Sequence, residues 1–114
     1  MPYFNIDTNQ KLDPESIRIT MQKASALIAD LLSKPESFVM VSVRPDGALI
    51  FGGTPEPAAF VSLKSIGLPK ERCSELSEKI CDFILNELGV PPERVFIEFK
   101  DLERSLFGWN AKTF

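Results

Sequence analysis

Hydrophobic residues along the chain follow two different spacings, which predict several strands and two helices. Apolar residues at helical spacing over 14–33 and again over 69–88 indicate two amphipathic helices. Asp13 and Pro14 are residue types that begin a helix, here the first one. Gly89 is a residue type that ends a helix, here the second one. Short apolar runs bounded by turn residues predict strands over 3–7, 38–43, 48–51, 58–65 and 94–100.

These elements follow one another as strand, helix, strand, then a short strand, then strand, helix, strand. Residues 33–41 and 89–97 have the same pattern: the end of a helix, a proline that prevents its continuation, and an apolar strand. This internal repeat predicts two similar halves over about 1–57 and 58–114. Parallel βαβ units are right-handed. The sequence therefore predicts one α/β domain over 1–114, in which two βαβ units form a four-stranded mixed sheet with two antiparallel helices on one face.

Three of the predicted strands are apolar on both faces, at 38–41, 59–61 and 95–97. Strands with this pattern are normally covered on both sides. Two helices cover only one face of a four-stranded sheet, and no further segment of the chain is left for the other. The pattern therefore predicts self-association through the open sheet face, with closed symmetry as the common outcome and a dimer as the alternative to a larger ring.

Composition and charge remove several classes of function. The 114 residues include no histidine, which excludes Ser-His and Cys-His nucleophilic sites and most zinc sites, and we expect no metal and no cofactor. A net charge of −3 without a basic cluster gives no support to nucleic-acid binding. Cys73 and Cys81 are separated by about 12 Å along one predicted helix, beyond the reach of a disulfide. No signal peptide or membrane-spanning run is visible, so we expect a cytoplasmic protein without membrane contact.

Pro2 follows Met1 directly and is the first candidate for chemistry. Methionine aminopeptidase removes Met1 before a small residue such as proline, which would leave a free secondary amine. A free α-amino group titrates near about 8, and burial or a neighbouring cation lowers that pKa towards neutrality, where a general base works best. The alternative interpretation is that Met-Pro is a common beginning with no catalytic meaning.

An ordered set of short motifs covers the whole chain. They are Met1-Pro2, Thr8-Asn9, Lys34-Pro35, Val39-Met40-Val41, Phe51-Gly52-Gly53, Glu56-Pro57, Ser65-Ile66-Gly67, Pro92-Glu93-Arg94-Val95, Phe107-Gly108-Trp109-Asn110 and Thr113-Phe114. In this order and spacing, apart from a short deletion after Gly67, the chain resembles the macrophage migration inhibitory factor family of the tautomerase superfamily. The resemblance implies a homotrimer whose three sheets line a central barrel, with a keto–enol tautomerase site at each subunit interface.

The resemblance also implies roles for individual residues. Pro2 would be the catalytic base, and Lys34 would both lower the pKa of Pro2 and hold the carboxylate of a 2-keto acid. Lys34 has the alternative reading of a lysine that complements the dipole at a helix C-terminus. The remaining positions are a backbone contact at Ser65 and Ile66 and an apolar slot for an aromatic ring lined by Tyr3, Phe107 and Trp109, with Asn110 beside it. Core packing is the alternative for the slot residues, and a turn is the alternative for Asn110.

Three site positions depart from the better-known members of that family. Phe96 replaces a tyrosine that comes from the neighbouring subunit, Glu98 replaces an asparagine, and Phe38 replaces a pocket tyrosine. Two phenol donors are thus absent, and Glu98 either brings a negative charge near a site expected to hold an anion or points to solvent. Residues 58–61 lack the Cys-x-x-Cys motif of some members, which argues against thiol–disulfide oxidoreductase activity.

Three functions follow as hypotheses. The first is an enzyme in which Pro2 acts on phenylpyruvate-like or dopachrome-like substrates, with a small aromatic keto acid as partner. The second is a cytokine-like protein that binds a cell-surface receptor, keeps the site as an inherited pocket and is exported without a signal peptide. The third is a trimeric scaffold without activity, which is favoured if Met1 stays attached.

Overall fold

One mixed sheet of four strands carries both helices in the computed structural model, which describes all 114 residues. The elements are β1 (Tyr3–Thr8), α1 (Pro14–Leu32), β2 (Met40–Arg44), β3 (Ala59–Ile66), α2 (Cys73–Leu88) and β4 (Val95–Leu102). The strand order is β2-β1-β3-β4, with β1 parallel to β2, β3 parallel to β4, and β1 antiparallel to β3. The predicted pair of βαβ units in a mixed sheet is confirmed.

The helix ends follow local chemistry. The Asp13 carboxylate accepts a hydrogen bond of 2.7 Å from the Ser16 N–H, and this bond holds the pKa of Asp13 below its ordinary value. Pro14 occupies the first helical position, as predicted. Helix α2 begins at Cys73, after a single 3-10 turn over Lys70–Arg72, and ends at Gly89 with φ at 69°. Neither helix is long and apolar enough to cross a membrane.

The core lies between the helices and one face of the sheet. Alternate strand residues such as Phe4, Ile6 and Val61 are fully buried there against helix residues such as Ile28 and Ile80. Near the end of β1, the Thr8 hydroxyl donates to the Ala58 carbonyl across 2.7 Å in a buried position. Cys73 and Cys81 are free, half-buried thiols, as predicted, and burial raises the pKa of Cys81.

The opposite face of the sheet, which we call the open face, is covered by neither helix. Cross-strand pairing places three rows of side chains on it. From one end of the sheet to the other they are Met40-Tyr3-Lys64-Lys100, Ser42-Asn5-Ser62-Glu98 and Arg44-Asp7-Phe60-Phe96. Large apolar side chains stand exposed at Met40 (67%), Phe60 (38%) and Phe96 (63%). The expectation of an apolar second face is thus confirmed at these positions and wrong for the middle row, which is polar.

The predicted short strand over 48–51 does not form. Its backbone pairs with no strand of the chain, apart from an isolated bridge between Phe51 and Thr54 around a Gly52-Gly53 turn. Both glycines have positive φ, as a tight two-residue turn requires. The Asn9 side-chain amide instead donates to the carbonyls of Leu49, Pro55 and Glu56, at 3.3, 3.2 and 2.9 Å. This segment is therefore a loop held by side chains.

The remaining differences lie at element boundaries and in the tail. Phe38 belongs to a 3-10 turn over Glu36–Phe38, and β2 begins only at Met40. After β4, the tail forms a 3-10 turn over Arg104–Leu106 and then a hairpin of β5 (Gly108–Trp109) and β6 (Lys112–Thr113), which the sequence pattern did not predict. Two paired residues per strand are too few to produce a detectable hydrophobic period.

Candidate active site

Two cavities adjoin at the N-terminal end of β1 and have Met1, Phe38 and Phe114 in common. The first, the apolar slot, has a volume of about 230 Å³. Its other lining residues are Pro2, Tyr3, Ser37, Val39, Met40, Phe107, Gly108 and Trp109. The second, the cationic cavity, has a volume of about 240 Å³. Its other lining residues are Lys34, Pro35, Ile66 and Arg104. The N-terminal residue thus lies where an apolar space meets a positively charged one.

Pro2 is fixed at this junction by the strand pairing itself. Its side chain is less than 2% exposed, and its carbonyl accepts a hydrogen bond of 3.0 Å from the Met40 N–H. In the chain that carries Met1, the amine belongs to Met1 and its pKa lies below the ordinary value. Desolvation is the main cause, followed by the charges of Lys34 and then Arg104. The surroundings of the N-terminus therefore favour a neutral amine.

Aromatic rings form the walls of the apolar slot. Phe38 meets Trp109 edge-on with 5.2 Å between centroids, and Trp109 stacks on Phe114 at 5.9 Å. Phe114 also packs against Phe107 at 5.8 Å, and its N–H donates to the Phe107 carbonyl across 3.1 Å. Such flat walls suit a flat apolar ligand group, because aromatic rings attract one another in stacked and edge-on arrangements.

Lys34 reaches the cationic cavity because of how α1 ends. Ser33 adopts a left-handed conformation with φ at 51°, and the Lys34 N–H donates to the Ala29 carbonyl across 3.0 Å. This Schellman-type end turns the chain away from the helix axis. Lys34 thereby leaves the helix surface and lines the cavity beside Met1.

Arg104 lines the same cavity and was not among the predicted residues. The three ion pairs of the chain are Arg18–Glu15, Lys23–Glu87 and Arg72–Glu75, so neither Lys34 nor Arg104 is paired with a carboxylate. No local signal marks Arg104, because its position depends on how the turn after β4 folds back to the N-terminus. In the sequence Arg104 is distinguished only by lying three residues before Phe107, and this spacing does not by itself predict a site residue.

The structure brings together six of the other predicted positions and separates the rest. Tyr3, Phe107 and Trp109 line the apolar slot, as Pro2 does. Lys34 and Ile66 line the cationic cavity, and Phe38 lines both cavities. Ser65 is buried and lines neither cavity; its hydroxyl donates to the Ile66 carbonyl across 3.3 Å. Asn110 has φ at 53° in the turn between β5 and β6 and also lines neither cavity, which agrees with its alternative reading as a turn residue.

Phe96 and Glu98 lie outside the two cavities of their own subunit. Phe96 is at the opposite end of the open face, about 17 Å along the strands from Pro2. It packs on Phe51 with 4.7 Å between ring centroids and lines a separate apolar cavity of about 300 Å³ with Ile50 and Phe60. Glu98 is exposed in the middle row of the open face. Either side chain could join a site only through another copy of the chain.

The wider comparison with known proteins agrees with this architecture. The sequence model of the macrophage migration inhibitory factor family matches residues 1–114. A macrophage migration inhibitory factor homolog from Brugia malayi is 42% identical over 116 residues, covering 100% of this chain and 99% of that protein.

Two solved structures show the same fold. A macrophage migration inhibitory factor homologue from Prochlorococcus marinus superposes with a TM-score of 0.92 at 37% identity, covering 98% of each chain. The macrophage migration inhibitory factor from Trichinella spiralis superposes with a TM-score of 0.90 at 37% identity, covering 98% of this chain and 99% of the other. The match extends over both βαβ units and the tail. The chain belongs to the macrophage migration inhibitory factor family.

Proposed function

We propose that this protein is a keto–enol tautomerase that uses Pro2, freed by removal of Met1, as its general base. The observation that carries the proposal is the position of Pro2, buried where an aromatic slot adjoins a cavity with two unpaired cations. An aromatic 2-keto acid has the matching parts, namely a flat apolar ring and a carboxylate next to the reacting carbonyl. Phenylpyruvate is the simplest such compound.

The proposed reaction moves one proton and changes no oxidation state. The Pro2 nitrogen takes a proton from the carbon next to the carbonyl, and the C–H electron pair forms the new C=C bond. The carbonyl π pair moves onto oxygen, where Lys34 stabilises the developing negative charge. Protonated Pro2 then returns the proton to this oxygen and releases the enol. The reverse sequence converts the enol to the keto acid.

The surroundings of the N-terminus support Pro2 as a base that works near neutral pH. The pKa of the Met1 amine is lowered by desolvation and by the charges of Lys34 and Arg104. Removal of Met1 would move the free amine to Pro2, the next residue, which lines the adjoining apolar slot, so we expect desolvation and the same two charges to act on its nitrogen. A neutral amine at physiological pH is the form that accepts a proton.

We also propose that the active assembly is a homotrimer with the site between neighbouring copies. On the open face, the Tyr3 and Ser42 hydroxyls are 2.7 Å apart, Ser42 donates to Asn5, and the Asn5 amide donates to Asp7 across 3.2 Å. The other carboxylate oxygen of Asp7 is buried without a partner. Buried carboxylate oxygens are normally paired, so this one favours a donor from another copy.

The positions of the apolar patches favour a ring over a two-fold dimer. The exposed Met40 lies at one end of the open face on β2, next to the buried Pro2 that precedes β1, whereas Phe60 and Phe96 lie at the other end on β3 and β4. Contact between two different patches is head-to-tail, and such contacts form a closed ring when the rotation between copies closes, and an open filament when it does not. In such a ring, Phe96 and Glu98 of one copy would approach the site of the next.

The proposed function is tested by intact mass spectrometry together with a phenylpyruvate tautomerase assay. Mass spectrometry should show loss of Met1, and Pro2→Gly, which keeps a free primary amine, should lower kcat/KM by at least about a hundredfold. Pro55→Gly in the exposed loop is the matched control and should change activity little. Full activity in Pro2→Gly, or in a chain with a peptide extension ahead of Pro2, would disprove the mechanism.

A further inference from the structure

The cationic cavity is lined by two cations, Lys34 and Arg104. Lys34 alone would be enough to bind one carboxylate, so Arg104 has no binding role in the proposed function so far. Lys34 comes from the end of α1, whereas Arg104 comes from the 3-10 turn after β4. That turn is closed by hydrogen bonds from the Leu106 N–H to the Glu103 carbonyl, at 3.0 Å, and from the Phe107 N–H to the Arg104 carbonyl, at 3.3 Å. These bonds fix the backbone of Arg104, whose side chain lines the cavity.

No acidic side chain lines this cavity. Its other lining residues are Met1, Pro35, Phe38, Ile66 and Phe114. Arginine and lysine facing one small space repel each other unless an anion lies between them. Neither has a carboxylate partner elsewhere in the chain. The arrangement is thus suited to a bound anion.

The two cations differ in how deeply they are buried. Lys34 is half-buried, whereas Arg104 is exposed to solvent. In agreement with this difference, the charge of Lys34 lowers the pKa of the Met1 amine more than the charge of Arg104 does. A substrate with its reacting carbon at the base would therefore direct its carbonyl oxygen towards Lys34 and a more distant anionic group towards Arg104.

We propose that Arg104 is a substrate-binding residue that selects 2-oxo carboxylates, holding the carboxylate while Lys34 faces the enolate oxygen. The planar guanidinium fork matches a carboxylate with two parallel hydrogen bonds. A 2-oxo acid carries one negative charge before proton transfer and two in its enolate, so two cations match the charge of the enolate. The assignment rests on the proposed function, because it takes the N-terminus as the reacting centre.

The test compares Arg104→Gln with Lys79→Gln, which removes an exposed, unpaired cation on α2 that lines neither site cavity. Arg104→Gln should raise KM for phenylpyruvate about tenfold, with kcat within about twofold. KM for phenylpyruvate methyl ester, which lacks the charge, should move by less than about twofold. Arg104→Lys should fall between Arg104→Gln and the wild type. Equal effects on acid and ester, or the same effect from Lys79→Gln, would overturn the assignment.

A binding measurement separates this assignment from the catalytic proposal. Benzoylformate is an aromatic 2-oxo acid that cannot enolise, and its binding can be followed by the fluorescence of Trp109, the single tryptophan, which lines the adjoining slot. Arg104→Gln should weaken benzoylformate binding about tenfold, and Lys79→Gln should leave it unchanged. If Pro2→Gly keeps full activity while this tenfold loss is observed, the catalytic proposal fails and the Arg104 assignment stands. Unchanged benzoylformate binding in Arg104→Gln overturns the assignment, whatever the activity of Pro2 variants.

Discussion

The ring of Phe38 meets the ring of Trp109 edge-on, with centroids 5.2 Å apart and planes at 80°. The contact joins the 3-10 turn before β2 to the C-terminal hairpin, two segments 71 positions apart along the chain. Trp109 nevertheless remains 49% exposed. Its ring therefore forms an exposed wall of the apolar slot and does not belong to the buried core.

Replacing Trp109 should impair the binding of aromatic substrates with only a small loss of stability. Trp109→Ala removes this exposed wall of the slot, so KM for phenylpyruvate should rise about tenfold, whereas KM for pyruvate, which has no ring, should change little. Leu106→Ala is the control, since Leu106 is more exposed and lines neither cavity. A similar loss for both substrates would show that the ring does not occupy the slot.

The activity of the processed enzyme should rise with pH through a midpoint below that of an ordinary α-amine, about 8. The base acts when deprotonated, and desolvation and the nearby cations lower the pKa of the N-terminal amine. Lys34→Ala removes one of these cations, so the midpoint of kcat/KM against pH should move upward. Lys79→Gln serves as the control for the change in net charge. A midpoint unaffected by Lys34→Ala would show that this charge does not act on the base.

The chain that retains Met1 should show a related pH dependence of stability. The amine has a lower pKa in the folded state than in the unfolded state, so between these two values the unfolded state binds more protons. The contribution of the amine is therefore complete above the unfolded pKa and declines as pH falls through the folded pKa. The free energy of unfolding in urea should therefore depend differently on pH in this chain and in a form acetylated at the Met1 amine, within that pH window. Parallel curves would contradict the effect.

Local sequence signals predicted the framework of the fold well. Asp13 and Pro14 begin α1 and Gly89 ends α2 because capping depends on neighbouring residues alone. The strand prediction over 48–51 failed because a strand needs a partner, and the loop finds its partners in the side chains of Asn9 and Arg94. Arg104 could not be assigned to the site for a similar reason, since only tertiary folding brings it to Lys34.

Arg94 should be the main stabiliser of the loop over 51–57. Its guanidinium donates to the carbonyls of Phe51, Thr54, Glu56 and Pro57, at 2.9, 3.2, 3.0 and 2.8 Å, and lies 5.2 Å from the centre of the Phe51 ring. Arg94→Lys keeps the charge but loses the fork, and should lower the free energy of unfolding by about 1–2 kcal/mol. Urea unfolding checks this, with Arg18→Lys on the exposed surface of α1 as control. Equal effects of both substitutions would contradict the proposed role.

Phe96 should be required for assembly. Light scattering should give about three times the 12.8 kDa mass of the chain. Phe96→Glu places a charge in an apolar patch that is exposed in one subunit, so it should dissociate the assembly and lower tautomerase activity together. Leu85→Glu, at an exposed position of α2 on the helix side of the sheet, should do neither. A wild-type monomer at micromolar concentration would disprove the trimer and the shared site.

Glu98 should reduce the affinity of the assembled site for acidic substrates. In one subunit it lies exposed on the open face, opposite Ser62 and two strand positions from Phe96. If a neighbouring copy brings Phe96 to the site, Glu98 arrives beside it, where its carboxylate either repels the substrate carboxylate or pairs with Lys34. Both effects weaken the binding of 2-oxo acids and leave neutral substrates unaffected.

Glu98→Asn should therefore lower KM for phenylpyruvate while KM for a neutral dopachrome methyl ester barely changes. The matched control is Glu78→Gln, an exposed acid on α2. Equal effects of Glu98→Asn on both substrates, or none on either, would show that Glu98 points to solvent in the assembly and has no part in charge selectivity.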